Sequence, residues 1–169
     1  MVEAGEAEKV MVIDLETVEV AKSETPYLCE IWNWQGDTSV LPFKFESILN
    51  SASEEPEKYS HSALKKEHID QAAFDPEGFF FLTSRSNAIG LTYAIPMPDD
   101  ATTYRVPYLV STPCHKKEGV EQCLLALVLK YCQSKGAKRV TVDAPPADLL
   151  KTYTERVFNV LEDAGFKLE

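Results

Sequence analysis

Five residues at the junction of an apolar strand and an apolar helix are the clearest candidates for a chemical role in this chain: Lys116, Lys117, Glu118, Gly119 and Glu121. A turn that opens a helix presents unpaired backbone N–H groups and the positive end of the helix dipole, an arrangement that binds phosphate. The lysines and the glycine suit that chemistry. The two carboxylates oppose it, because like unit charges about 4 Å apart repel by roughly 4 kcal/mol at an effective dielectric of 20. In the alternative interpretation the glutamates complement the helix dipole themselves, and this helix end binds no ligand.

Groups for proton transfer are harder to find. The predicted central strands hold no Asp or Glu within their apolar cores, and the nearest carboxylates are Asp75, Glu77, Asp99 and Asp100 in the flanking turns. Cys114 has no evident His or Asp partner that would activate its thiol. The cysteines and histidines also lack the spacing of a metal site. The sequence therefore predicts no metal and leaves the general base unknown.

The bulk composition limits the partners. The formal net charge is −10 at pH 7, so the surface as a whole repels nucleic acid and anionic membranes, and neither is expected as a partner. The apolar runs are shorter than the roughly 20 residues that a membrane span needs. Four cysteines without a pairing pattern and no signal segment indicate an intracellular, cytoplasmic protein. The length suits one domain over 1–169, with 1–9 frayed.

Hydrophobic periodicity predicts the elements that would position these residues. Strands are expected at 10–15, 79–83, 88–95, 104–111, 139–143 and 166–168, and helices at 26–34, 62–73, 119–134 and 149–164, with a short helix around Phe43–Leu49. Strands that are apolar on both faces indicate helices on both sides of the sheet. This order of elements is typical of a mixed α/β layer architecture.

Over 79–168 this order resembles the GNAT family of acyl-CoA-dependent N-acetyltransferases. The residues that carry the resemblance are the FDPEGFF run at 74–80, the strand, turn and helix start at 110–120, the strand at 137–143, and the LEDAGF run at 161–166. The FDPEGFF run is similar to the subgroup that includes mycothiol synthase. The resemblance implies an α/β fold with a mixed, mostly antiparallel sheet and helices on both faces.

The resemblance also implies a site for acetyl-CoA or another acyl-CoA. In the family signature R/Q-x-x-G-x-G/A, backbone N–H groups cradle the CoA pyrophosphate, and the preceding strand hydrogen-bonds the pantetheine. Lys116 stands at the first position and Gly119 at the first glycine, whereas Glu121 replaces the small last residue that allows close approach. The implied cofactor-binding residues are Leu109, Val110, Ser111, Lys116, Lys117, Glu118, Gly119, Val120 and Glu121.

Two further departures from the family pattern bear on function. Leu161 stands where many members carry a tyrosine that protonates the leaving thiolate. The family's sheet usually has one more strand, inserted between the strands predicted here at 139–143 and 166–168. We therefore expect the C-terminal strands to be truncated or supplied by a partner, either in a homodimer or from a second domain, because an open edge invites pairing.

These features predict an N-acetyltransferase-like protein that transfers an acetyl group to an amine of unknown identity. An acidic surface favours cationic amines as acceptors. The alternative is a catalytically inactive GNAT-fold domain, used for binding or regulation, that has lost ordinary CoA binding. In a third interpretation the chain is one half of a tandem protein whose other domain is catalytic.

Overall fold

The structure is a computed structural model. It describes residues 10–22, 24–26, 28–33, 38–55, 57–85, 87–112, 119–145, 148–149 and 151–169, and in the last of these ranges the side chains from Glu155 onward. Within these residues no helix is long and apolar enough to cross a membrane. The same residues contain no group of three or more His, Cys, Asp or Glu side chains that could hold a metal ion.

Seven strands form one sheet. They are β1 (Met11–Asp14), β2 (Cys29–Asn33), β3 (Phe79–Ser84), β4 (Asn87–Met97), β5 (Asp100–Ser111), β6 (Arg139–Val142) and β7 (Lys167–Leu168). Their spatial order is β2-β3-β4-β5-β6-β1-β7. The β5–β6 pair is parallel, and every other pair of neighbours is antiparallel. The predicted mixed, mostly antiparallel sheet is confirmed.

Helices cover both faces of this sheet, as predicted. They are α1 (Leu41–Ala52), α2 (His61–Leu64, continued by a π-helical turn over Lys65–Ile69), α3 (Val120–Ser134) and α4 (Lys151–Asp163). On β4, Tyr93 packs edge-on against Phe45 of α1 with ring centroids 5.9 Å apart. Gly90 points to the opposite face, where a Cβ would lie 2.9 Å from Leu124 of α3. Glycine at this position therefore lets α3 approach the sheet closely.

The first strand lies between the last two strands of the sheet. β1 pairs antiparallel with β6, with Ile13 opposite Val140, and antiparallel with β7, with Met11 opposite Leu168. The expectation that this position is truncated or supplied by a partner is wrong, because β1 of the same chain occupies it. Met11 and Ile13 are buried in the core. Burial of these side chains favours the inserted position over an exposed edge.

The predicted helix at 26–34 is wrong, because Cys29–Asn33 is the edge strand β2. Ile31 lies opposite Leu82, and Trp32 lies opposite Phe81 of β3. The apolar spacing imitates a helix, but pairing with the aromatic strand β3 decides the conformation, since strand formation depends on cross-strand neighbours. Trp32 is 51% exposed on this edge strand.

Candidate functional site

A gap opens in the sheet where the parallel strands β5 and β6 part. Their pairing ends where Val106 lies opposite Val142, which is the last residue of β6. β5 continues to Ser111, which pairs on its other side with Gly90 of β4. The pairing of β5 with β6 therefore does not extend over 107–111. Side chains from neighbouring elements fill the space beside this part of β5.

Three polar side chains join the end of β5 to the two helices on one face of the sheet. The Ser111 hydroxyl donates to Glu121 Oε1 at 2.7 Å, Arg156 Nη2 lies 2.7 Å from the same oxygen, and Arg156 Nη2 donates to Ser111 Oγ at 3.0 Å. Ser111 ends β5, Glu121 lies in the first turn of α3, and Arg156 lies in the second turn of α4. We call these three residues the inner clasp.

The inner clasp contains a buried carboxylate together with the groups that neutralise it. Glu121 is 3% exposed, whereas the Arg156 side chain is 42% exposed. A buried carboxylate is tolerated only when it is paired and hydrogen-bonded, and here Arg156 and Ser111 supply both. The charge of Glu121 is therefore neutralised within an internal ion pair. The repulsion expected from the sequence assumed that the Glu121 carboxylate is isolated, whereas in the structure it is paired.

A second set of contacts, the outer clasp, holds the chain between β6 and α4. Asp148 accepts hydrogen bonds from Ser53 Oγ at 2.7 Å, Lys58 Nζ at 2.8 Å and Tyr59 Oη at 3.0 Å. Its carbonyl oxygen accepts from the Glu54 N–H at 2.8 Å. These bonds tie the chain that leaves β6 to the segment that follows α1, so the gap is also bounded on its α1 side.

The outer clasp has a predicted pH signature. Burial raises the pKa of the Asp148 carboxyl, but hydrogen bonds from Lys58, Ser53 and Tyr59 outweigh burial and leave the pKa below its ordinary value. A depressed carboxyl pKa contributes stability that is present above its unfolded pKa of about 3.9 and is lost as the pH falls through the folded pKa. We expect Asp148→Asn to flatten the loss of stability below about pH 4, as measured by urea midpoints from pH 7 to pH 2.5.

Glu162→Gln is the matched control for that experiment, because Glu162 is an exposed carboxylate on α4. It should keep the acid-induced loss of the parent protein. Equal acid slopes for the parent and Asp148→Asn would contradict the role assigned to the outer clasp.

A small cavity lies beside β5 where the two strands part. Its volume is about 10 Å³, about the size of one water probe, and it is lined by Pro107, Tyr108, Leu109, Val110, Val142, Asp143, Pro145 and Val157. Among the described residues, the inner clasp, the outer clasp and these apolar side chains thus border the place where the sheet divides.

No family model matches the sequence, and no curated protein matches it. Solved structures do match. A GCN5-related N-acetyltransferase from Sphaerobacter thermophilus superimposes with a TM-score of 0.67 at 13% identity, covering 96% of this chain and 49% of that chain. The chain has the GNAT fold. Ard1 from Thermoplasma volcanium superimposes with a TM-score of 0.61 at 15% identity, covering 84% of each chain.

A tandem GNAT protein from the clavulanic acid biosynthesis pathway superimposes with a TM-score of 0.66 at 11% identity, covering 95% of this chain and 49% of that chain. The present chain therefore spans about half the length of that structure and of the Sphaerobacter one. At these identities the similarity establishes the GNAT fold and leaves activity and substrate open. The resemblance to mycothiol synthase stays a prediction.

The predicted cofactor-binding residues that the structure describes lie in three different settings. Leu109, Val110 and Ser111 are buried at the end of β5, and Val120 is buried in the first turn of α3. Glu121 belongs to the inner clasp. Gly119 precedes α3 with a φ of 89°, a left-handed conformation that favours glycine. Lys116, Lys117 and Glu118 lie outside the described residues, so a cofactor site formed by these nine residues stays a prediction.

The residue at the position of the family's tyrosine is part of the core. Leu161 is completely buried in α4, so it contributes packing and no proton donor. Cys114 lies outside the described residues. Arg156 was missed by sequence analysis, since its partner Glu121 lies on another helix. The only sequence signal was a glutamate among the buried positions of an apolar helix, which calls for a cation somewhere in the fold.

Two of the carboxylates in the turns that flank the central strands have structural roles. Asp75 accepts a hydrogen bond from Tyr131 Oη at 2.6 Å and from the Glu77 N–H at 3.0 Å, which caps the turn before β3. Asp100 accepts from the hydroxyls of Thr102 and Thr103, and these bonds lower its pKa to about 2. A carboxylate with so low a pKa is a poor proton acceptor at neutral pH.

A histidine that sequence analysis did not select lies nearer to the gap. His68 Nδ1 is 2.6 Å from Tyr93 Oη, and its ring centroid is 5.4 Å from that of Tyr108, a residue that lines the small cavity. Burial lowers the pKa of His68 below its ordinary value, so the ring is neutral at physiological pH. A neutral imidazole can accept a proton, and one nitrogen of the His68 ring is already engaged with Tyr93.

Proposed function

We propose that this chain is a GNAT-fold domain used for binding or regulation, and that it does not bind acetyl-CoA in the manner of the family. The single observation that carries the proposal is the inner clasp. Glu121 stands at the position where the family signature has a small residue, and its carboxylate is bonded to Ser111 and Arg156. We further propose that 1–169 forms one such domain.

The residues present do not fit acetyl-CoA in this arrangement. Close approach of a pyrophosphate to a helix N-terminus depends on a small residue in the first turn and on a local excess of positive charge. Here Glu121 supplies bulk, and its charge pairs with Arg156, the cation nearest to it in the described structure.

Calorimetric titration with acetyl-CoA at low salt tests this proposal. The parent protein should show no heat of binding and no thermal stabilisation at millimolar acetyl-CoA. A bound ligand at about 100 times its dissociation constant would stabilise the fold by roughly 2.7 kcal/mol, which is easily detected. Saturable binding by the parent protein would overturn the proposal.

Removing the obstacle should create binding. In Glu121→Gly the first turn of α3 gains a small residue and loses a carboxylate that is paired with Arg156, so both bulk and charge change in favour of a phosphate. We expect Glu121→Gly to show saturable acetyl-CoA binding in the same titration in which the parent protein shows none. Gln122→Gly is the matched control, because it puts glycine into the same turn and leaves the inner clasp intact. It should bind no better than the parent protein.

If Glu121→Gly binds no acetyl-CoA although it remains folded, the inner clasp is not the obstacle. Circular dichroism and a urea titration establish whether the variant is folded. An equal gain in Gln122→Gly would attribute the effect to a loosened helix start rather than to the lost carboxylate.

A second candidate function is N-acetyl transfer to a cationic amine, which the fold and the acidic charge favour. One specific observation supports it. The hydroxyl of Thr112 is buried and has no hydrogen-bond partner among the described residues, and Thr112 directly follows the strand that would hold pantetheine. Release of thiol from acetyl-CoA in the presence of a panel of primary amines tests this candidate. Activity that Thr112→Val and His68→Ala reduce would replace the first proposal with this one.

A further inference from the structure

The chain contains a second cavity that is distinct from the gap between β5 and β6. It has a volume of about 250 Å³ and lies between α3, α4, β1 and the segment 18–21. Ile13, Leu125, Leu129 and Val160 form buried parts of its wall. Apolar cavities of roughly 150 Å³ already bind small hydrocarbons, so this cavity has room for a short alkyl chain.

The cavity exists because two helices run side by side without filling the space between them. Glu121 of α3 pairs with Arg156 of α4. Further along both helices, Leu125 and Leu129 of α3 line the cavity together with Val160 of α4. α3 and α4 therefore run in the same direction, and the cavity lies next to the inner clasp, beginning at Gln122 on α3 and at Val160 on α4. The segment 18–21 completes its wall.

The polar residues of this cavity are acidic or neutral. Glu19 and Asp163 line it and are exposed to solvent, which places them at its opening, and Gln122 is the third polar residue of the lining. Among the described residues that line the cavity, none is Lys, Arg or His. An apolar interior with carboxylates at the opening complements a molecule that has an alkyl chain and a positive head group. The net charge of −10 adds attraction for cations at longer range.

We propose that this cavity binds a small amphipathic cation, with the alkyl chain between α3 and α4 and an ammonium group near Glu19 and Asp163. The site is separate from the inner clasp, so the proposal does not depend on whether the chain binds acetyl-CoA. Anionic chains such as fatty acids are disfavoured by the same carboxylates. Burial of each methylene group should raise affinity about fourfold, so affinity should rise with chain length until the cavity is full.

Octylamine is the probe, and octanol and octanoate are its neutral and anionic counterparts. Calorimetry at low salt, below the aggregation concentration of each probe, should give saturable binding of octylamine. Octanol should bind roughly tenfold more weakly, since exposed ion pairs contribute factors of about two to five each. Octanoate should show no binding. Raising the salt concentration should weaken octylamine and leave octanol unchanged.

Substitutions in the cavity and beside it test where the ligand binds. The double variant Glu19→Gln with Asp163→Asn should weaken octylamine about tenfold and leave octanol unchanged. Glu162→Gln is the matched control, because it removes the neighbouring exposed carboxylate of α4, which does not line the cavity. Ala126→Leu adds apolar volume to the cavity wall and should weaken both octylamine and octanol more than tenfold.

Three results would overturn the proposal. They are the absence of saturable octylamine binding, binding of octanoate as tight as that of octylamine, and octylamine affinity that is the same in the parent, the double variant and Glu162→Gln. If Ala126→Leu does not fold, the charge variants decide, because they change only exposed side chains. Undiminished binding of both neutral and cationic probes to a folded Ala126→Leu would place the ligand elsewhere.

Discussion

Replacing Ile13 by proline is expected to lower the free energy of unfolding by at least about 3 kcal/mol. Ile13 lies in β1, opposite Val140 of β6. The Leu15 N–H donates to the Lys138 carbonyl at 2.8 Å, and the alternation of an antiparallel ladder directs the Ile13 N–H to the same side. Proline removes this donor from a strand that is paired on both edges. Urea unfolding followed by circular dichroism measures the loss.

Ile13→Val is the control for this prediction. It keeps the N–H and most of the apolar side chain, so it should lower the free energy of unfolding by only about 0.5–1.5 kcal/mol. If proline is tolerated as well as valine, β1 does not occupy the place between β6 and β7. The experiment thus distinguishes an internal strand from the partner-supplied strand that the sequence suggested.

Phe45→Ala is expected to lower the free energy of unfolding by about 3–5 kcal/mol. Phe45 is fully buried in α1, and its ring contacts those of Phe79, Tyr93 and Tyr108 at centroid distances of 6.0, 5.9 and 5.2 Å. Truncation therefore leaves a cavity and removes edge-to-face contacts that add to the burial of area. The same urea titration measures the effect.

Phe43→Ala is the matched control, since it removes the same ring from the same helix. Phe43 is 54% exposed and stacks on His61 with ring centroids 4.4 Å apart. We expect a change within about 0.5 kcal/mol, as for most surface substitutions. Equal effects of the two substitutions would show that the aromatic cluster does not anchor α1 to the sheet.

The sequence predicts the elements whose signal is local. The apolar stripe from Val120 to Cys132 and the glycine at Gly136 define α3, and continuous apolar runs define β3, β4 and β5. β2 was predicted as a helix, since the spacing of its apolar residues is compatible with either structure and its pairing with β3 decides the outcome. The position of β1 depends on contacts with residues far along the chain, which no local pattern encodes.

The residues of the candidate site also differ in whether the sequence alone could predict them. Gly119 and Glu121 could be selected from the sequence because a strand, a turn and a helix start define their setting. Arg156 and Asp148 could not, because their partners lie on other elements. The meaning of Glu121 changes with its partner: alone it repels a phosphate, whereas paired with Arg156 it fastens α3 to α4. A residue type at a motif position thus predicts where the site lies better than it predicts the chemistry of that site.

The cavity between α3 and α4 and the inner clasp lie on the same pair of helices. Arg156 contacts Glu121 at one end, and Val160, one turn later on α4, contacts the cavity. A ligand that spreads or tightens the helices would therefore change the geometry of the inner clasp. We expect octylamine to alter the acetyl-CoA affinity of Glu121→Gly by the same factor by which acetyl-CoA alters the octylamine affinity of that variant, because linkage is reciprocal.

Because β1 is inserted between β6 and β7, the sheet of this protein can be completed only after β6 has been synthesised. Met11–Asp14 is made before the other strands of the sheet, and its partner Arg139–Val142 follows more than a hundred residues later. Until then the apolar side chains of Met11 and Ile13 cannot take the position between β6 and β7 that buries them. Pairing across so long a separation also slows folding. Chaperone capture of the nascent chain should accordingly end only after β6 has emerged.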